Sequence, residues 1–224
     1  MIKNNLNFFN NIQKKNLDSK SIKKFTKLFP KILSKLFTDI NSSKKTLNTL
    51  NKKFNFNFEF KDLEKFKSFK TIAIIGMGGS ILGSEAVSHF LKEKIKKKIY
   101  FFNDLNIKKI QNFKKKKNLD KVLFFVISKS GNTVETLSNF FILKIIKKNS
   151  KNIIIISEKK NNLLYSLSKK FNLFYIEHKN YIGGRYSVLS EVGIVPAYLM
   201  GININKLRSG SLKSLKKKTQ LFLK

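Results

Sequence analysis

Val122-Leu-Phe-Phe-Val-Ile-Ser-Lys-Ser-Gly-Asn-Thr-Val-Glu-Thr136 is the stretch whose reading decides the fold. Its first six residues are apolar and rich in Val, Ile and Phe, as a strand buried on both faces should be. Ser128-Lys129-Ser130-Gly131-Asn132-Thr133 then reads as a turn, and Val134-Glu135-Thr136 opens an amphipathic helix. Small hydroxyls and one lysine at such a junction can gather around an anion. The free N–H groups of a helix N-terminus need acceptors and carry partial positive charge.

The same alternation extends to both sides. Further strands are predicted at Thr71–Ile75, Lys98–Phe102, Asn152–Ile156 and Leu173–Ile176, with helices over Ser80–Ile95, Ile107–Lys116, Thr133–Lys148 and Asn161–Lys170. In the third helix Val134, Leu137, Phe141 and Ile145 make one apolar stripe. The pattern predicts an α/β three-layer sandwich around a parallel sheet of about five strands. If the first and third strands are neighbours, Ser80 and the Ser128–Thr133 loop face one crevice.

Outside this core the signals change. Residues 1–70 read as polar and helical, with Ile22, Phe25, Leu28 and Phe29 at helix-face spacing and Pro30 opening or kinking a helix. Phe54, Phe56, Phe58 and Phe60 alternate as in a short extended arm, and core packing suits them better than base stacking. Downstream of Gly183 a helix is expected to stop near Gly193 and restart at Pro196. A lysine-rich amphipathic segment, Leu207–Lys224, follows. Its end inside a helical pattern predicts an incomplete reading frame.

At 224 residues the chain can bury one substantial core, with room for a small second module. A formal charge of +34 would by itself suggest nucleic acid. Lysine is spread over almost every segment, however, and arginine, the better residue for bidentate phosphate and base contacts, stands only at Arg185 and Arg208. The expectation is nonspecific polyanion binding at low salt and no specific nucleic-acid partner. Lys96–Lys98 and Lys114–Lys117 fall at helix ends or in loops, and at a helix end the dipole favours positive charge. The absence of cysteine excludes disulfides, thiolate zinc sites and cysteine nucleophiles. Met1-Ile-Lys-Asn-Asn5 lacks the apolar core of a signal peptide, and no apolar run reaches membrane-spanning length. A soluble, intracellular protein with no membrane partner is expected.

Three loops carry the chemistry. In Gly76-Met-Gly-Gly-Ser80, after the first strand, glycines let backbone N–H groups approach an anion. A dinucleotide fingerprint would need Gly where Ile81 stands, although Asp104 could serve as its ribose-binding acid. The P-loop pattern is also missing its Gly-Lys-Ser/Thr. In the second loop Asn132 and Glu135 have the spacing of a capping pair, which leaves Ser128, Lys129, Ser130 and Gly131 unexplained. In the third, Arg185 follows two glycines and precedes a helix expected near Ser187. It can face a phosphate or a developing oxyanion, or form an ion pair with Glu177 or Glu191.

Together Gly76-Met-Gly-Gly-Ser80, Ser128-Lys-Ser-Gly-Asn-Thr-Val-Glu-Thr136 and especially Gly183-Gly-Arg-Tyr-Ser-Val-Leu-Ser-Glu-Val-Gly-Ile-Val-Pro196 resemble the glucose-6-phosphate isomerase (phosphoglucose isomerase) family. The resemblance covers about residues 71–201, and its first two motifs are shared more loosely by sugar-isomerase (SIS) domains. It implies an aldose–ketose isomerase of glycolysis and gluconeogenesis that interconverts glucose 6-phosphate and fructose 6-phosphate through an enediolate. Gly79, Ser80, Ser128, Lys129, Ser130 and Thr133 would line the sugar-phosphate site, and Arg185 would stabilise the enediolate. Because the proton moves within the substrate, no metal or organic cofactor is required. The resemblance also implies a cytoplasmic protein, homodimeric when full length.

On the same basis residues 1–70 are an N-terminal helical extension, 71–200 the SIS domain, and 201–224 a helix leading toward an absent second domain. The family's base, ring-opening histidine and late lysine belong to the part after Lys224, and neither His89 nor His178 matches its histidine motif. Weak sugar-phosphate binding and little or no turnover are therefore expected of this chain alone. Position 84 is Ser where the family usually has Pro. The other readings are a different SIS-domain sugar-phosphate isomerase, a sugar-phosphate-sensing regulator, and a basic nucleic-acid-binding protein.

Overall fold

The computed structural model describes residues 18–211. The helical pattern expected ahead of residue 18 and most of the Leu207–Lys224 segment lie outside the described residues. Five strands form one parallel sheet: β1 (Thr71–Gly76), β2 (Lys98–Phe102), β3 (Val122–Ile127), β4 (Ile153–Ser157) and β5 (Phe174–Glu177), in the order β2-β1-β3-β4-β5. The continuous apolar runs arise because both faces are covered. Ile72, Ile74, Leu123, Phe125, Ile127, Ile154 and Ile156 enter one core cluster, while Ala73, Ile75, Val122, Phe124, Val126, Ile153 and Ile155 enter the other. Successive side chains on a strand point to opposite faces, so every residue of β3 is buried.

The helices are α1 (Ser19–Asn41), α2 (Phe60–Leu63), α3 (Leu82–Phe90), α4 (Ile107–Lys116), α5 (Val134–Leu143), α6 (Leu163–Lys170) and α7 (Glu191–Leu199). Residues 204–211 are also helical. With helices on both faces of the sheet, the architecture is the expected α/β three-layer sandwich.

Several local expectations are corrected. The predicted helix over Ser80–Ile95 is broken into α3, a 3₁₀ turn at Gly78–Ser80 before it and another at Lys92–Lys94 after it. The helix α5 ends early because Lys144 takes a left-handed conformation, φ 53°. Its buried line is Thr136, Asn139, Phe140 and Leu143, whereas Val134 and Phe141 of the predicted stripe are 70% and 44% exposed. Pro30 lies inside a continuous α1. It and Thr26, whose carbonyl it leaves without a helical donor, are both exposed, so water can satisfy that group.

The helix α7 likewise runs through Gly193 and Pro196 without stopping. A Cβ on Gly193 would lie 2.1 Å from the Val188 carbonyl oxygen, which accounts for glycine there by close approach and not by helix termination. Pro196 removes the N–H that would bond to the carbonyl four residues back, that of Val192. Ser84 Oγ, from α3, donates to that oxygen at 3.4 Å. The alternating phenylalanines form no strand. Phe54, Phe56, Phe58 and Phe60 make a chain of ring contacts, centroids 5.1–6.0 Å apart, that ends on Tyr198 of α7 at 4.8 Å.

Candidate functional site

The strand order reverses at β1, with β2 on one flank and β3 on the other. The connections leave in opposite directions there, which opens a crevice beyond the carboxyl ends of β1 and β3. Gly76 and Ile127 are register partners at that end. The loops that follow them therefore face each other.

The β3 loop gathers its hydroxyls. Ser128 Oγ lies 2.8 Å from Thr133 Oγ1 and 3.4 Å from Ser130 Oγ, and Ser130 Oγ lies 3.3 Å from Thr133 Oγ1. Gly131 N–H donates to Ser128 Oγ and Asn132 N–H to Ser130 Oγ. Gly131 is required by conformation and space: its φ is +71°, and a Cβ there would lie 1.9 Å from Asn162 Oδ1.

The predicted Asn132–Glu135 capping pair does not form. Thr133 is the N-cap of α5 and makes no side-chain cap bond, while Asn132 Oδ1 accepts from Leu163 N–H at the start of α6. Helix α3, on the other side of the crevice, also has no side-chain cap. By contrast α1, α4, α6 and α7 are capped by Asp18, Asn106, Asn162 and Ser190. Leaving aside the single-turn α2, the uncapped helices among the described residues are thus α3 and α5, and both begin at the switch point. Their first-turn N–H groups have no side-chain acceptor and can serve an anion.

The third loop meets the first. Gly184–Leu189 is a 3₁₀ segment, with α7 starting at Glu191 and not near Ser187 as expected. Ser187 Oγ, buried, lies 2.7 Å from the Gly184 carbonyl oxygen and 3.1 Å from that of Gly79, a staple that the sequence reading missed. Arg185 is exposed and forms no ion pair among the described residues. The anticipated bridge to Glu177 or Glu191 is absent.

Glu191 is instead buried, accepting from Asn57 N–H at 3.0 Å and lying 3.7 Å from Lys179 Nζ. Burial pushes its carboxyl above the ordinary value of 4.5, against the opposing effects of its hydrogen bonds and Lys179. Lys129 sends its ammonium to the Asn180 carbonyl, 2.7 Å, and to Glu158, 3.6 Å. Asp104 pairs with Lys109, an exposed contact. No group of three or more His, Cys, Asp or Glu able to hold a metal occurs among the described residues. Nor is any described helix long and apolar enough to cross a membrane.

The structure therefore brings Gly79, Ser80, Ser128, Ser130 and Thr133 to one crevice, with the Arg185 backbone against Gly79 and the Lys129 ammonium drawn aside. Thr46, Glu158 and Ser187, which support these loops, carried no signal in the sequence because their bonds span distant segments.

Comparison with known proteins places the chain in a family. The family model for phosphoglucose isomerase matches residues 33–216. A probable glucose-6-phosphate isomerase of Methanococcus maripaludis is 38% identical over 79% of this chain and 45% of its own. The glucose-6-phosphate isomerase of Methanocaldococcus jannaschii is 33% identical over 67% and 38%, respectively. The chain thus spans less than half the length of these curated relatives. Among solved structures, a hypothetical protein of Thermus thermophilus superposes with a TM-score of 0.68 at 20% identity, covering 87% of this chain and 49% of that one. A glucose-6-phosphate isomerase from Chlamydia trachomatis gives 0.51 at 24% identity, covering 60% and 27%. Those two likenesses show the fold. Since the family model accounts for most of its residues, the chain belongs to the phosphoglucose isomerase family.

Proposed function

We propose that this chain builds the phosphate-holding part of an aldose–ketose isomerase that interconverts glucose 6-phosphate and fructose 6-phosphate. The hydroxyls of Ser80, Ser128, Ser130 and Thr133, with backbone N–H groups of Gly79 and the first turn of α5, take the phosphate oxygens. The isomerisation moves one proton from C2 of the open-chain aldose to C1 and a second from the C2 hydroxyl oxygen to the C1 oxygen. The C1 carbonyl becomes a hydroxyl and the C2 hydroxyl a carbonyl, so nothing is gained or lost overall. Negative charge develops on the enediolate oxygens between the two transfers, and Arg185 is the cation that faces it. Phosphate binding away from the reacting carbons holds them in place for that transfer. In this reading residues 71–200 are the sugar-phosphate domain, and the full-length protein is a cytoplasmic homodimer.

The observation that carries the reading is the convergence of three hydroxyls and two uncapped helix N-termini at the switch point, beside the turn bearing Arg185. Phosphorus NMR tests it. Titration with this chain is expected to shift or broaden the fructose 6-phosphate resonance saturably, with inorganic phosphate competing and unphosphorylated fructose having no effect. An unchanged resonance, or equal competition by fructose, would overturn the reading.

A further inference from the structure

The turn that leads into Arg185 offers two successive carbonyls, and each is taken by a side chain from elsewhere in the fold. Asn180 O accepts from Lys129 Nζ at 2.7 Å, and Tyr181 O accepts from Thr46 Oγ1 at 2.7 Å. Lys129 belongs to the loop whose hydroxyls form the cluster; Thr46 belongs to the segment after α1. The turn is thus pinned from both sides, and Gly183, Gly184 and Arg185 follow at once.

Lys129 is itself fixed at both ends. Its carbonyl accepts from Glu158 N–H at 3.1 Å, and its ammonium lies 3.6 Å from Glu158 Oε1. The other oxygen of that carboxylate pairs with Lys160 at 2.5 Å, and the carboxylate is only 12% exposed. His178, buried next to the same turn, is held below its ordinary value chiefly by burial, with Lys129 adding to the effect. At neutral pH it adds no second positive charge to compete with the ammonium. For Lys129 to reach a phosphate, it would have to give up a charge-assisted hydrogen bond and a shielded carboxylate, and hydrogen bonds with one ionised partner are the stronger kind.

We propose that Lys129 is a positioning residue for Arg185, its ammonium bracing the Ser128–Thr133 loop against the Asn180–Tyr181 turn and making no contact with the phosphate. A phosphate seated on the hydroxyls holds the loop, the loop holds Lys129, and Lys129 holds the turn that aims the guanidinium. This rests on the reading of those hydroxyls and Arg185 as one sugar-phosphate site. It assigns the lysine a different task in that site from its hydroxyl neighbours.

The chain has only two arginines, which makes the brace directly observable. Arg208 is anchored to the Leu189 and Asn51 carbonyls and serves as the internal reference for Arg185 in a nitrogen–proton spectrum of the Nε–H groups. In Lys129→Met the Arg185 resonance is expected to shift or broaden while that of Arg208 stays. The fructose 6-phosphate dissociation constant should rise about tenfold, and inorganic phosphate binding should stay within about twofold. Lys129→Arg, which can still donate to Asn180 O, should restore the Arg185 signal and the affinity. Thr46→Val, remote from the hydroxyls, should also move the Arg185 resonance and leave inorganic phosphate binding intact.

An unmoved Arg185 resonance in both Lys129→Met and Thr46→Val would overturn the brace. So would equal weakening of both ligands in Lys129→Met, which marks a direct phosphate contact. If the unaltered chain takes up neither ligand, the sugar-phosphate reading fails, and the Arg185 resonance still decides the brace.

Discussion

Gly79 and Gly184 meet backbone to backbone: a Cβ added to Gly79 would lie 2.2 Å from the Gly184 carbonyl carbon and 2.7 Å from Arg185 N. The loop after β1 and the turn that carries Arg185 are therefore a single packed unit. Neither can shift without the other. Gly79→Ala is predicted to destabilise the fold by about 1–3 kcal/mol, because backbone and not a flexible side chain must give way. Urea unfolding checks this. A loss of fructose 6-phosphate binding should accompany it as the Arg185 backbone is pushed away from the Gly79 loop.

Ser84→Ala is predicted to cost about 0.5–1.5 kcal/mol, the net worth of one intramolecular hydrogen bond. The hydroxyl is the donor to the Val192 carbonyl that Pro196 leaves without its helical partner. Thermal unfolding of Ser84→Ala against Ser84→Thr separates loss of the donor from loss of packing volume. A donor role predicts that only the alanine variant melts lower.

Glu191 gives a pH dependence of definite sign. Burial raises its folded-state value above the 4.5 expected of an unfolded chain, so the folded protein prefers the protonated carboxyl. Its contribution to stability is complete below 4.5 and is lost as pH rises through the raised folded value. Glu191→Gln keeps the acceptor for Asn57 N–H and cannot ionise. The unfolding free energy of the variant minus that of the unaltered chain is therefore predicted to increase as pH rises from about 4 toward neutrality, on the order of 1 kcal/mol per unit of raised pKa. Chemical denaturation at a series of pH values reads this difference directly.

The limits of sequence reading follow physical lines. β3 and α4 could be bounded to the residue, because a strand buried on both faces is one unbroken apolar run and α4 falls between an Asn cap and a Lys cluster. β2, the partly exposed edge strand, was bounded equally well by its Ile-Tyr-Phe-Phe run. That the loops after the first and third strands would share a crevice if those strands were neighbours could be read from parallel-sheet topology, and the pairing of β1 with β3 supplies the condition. What could not be read depended on tertiary partners. Asn132 has the spacing of a cap for α5 yet serves α6, thirty-one positions away, at Leu163. The buried line of α5 includes Thr136 and Asn139, polar residues whose burial no hydropathy pattern announces. Lys129 lies in the anion loop by sequence, and its ammonium is directed by Asn180 and Glu158, whose proximity only folding creates.

The central claim is that the Ser128–Thr133 loop holds the phosphate of a sugar phosphate. Titration calorimetry of fructose 6-phosphate into the unaltered chain and into the Ser130→Ala, Thr133→Ala double variant tests it most directly. Neither hydroxyl caps α5, so the variant should fold, and its affinity is predicted to fall by about tenfold or more with the loss of two hydrogen bonds to an ionised group. An affinity equal to that of the unaltered chain would contradict the claim.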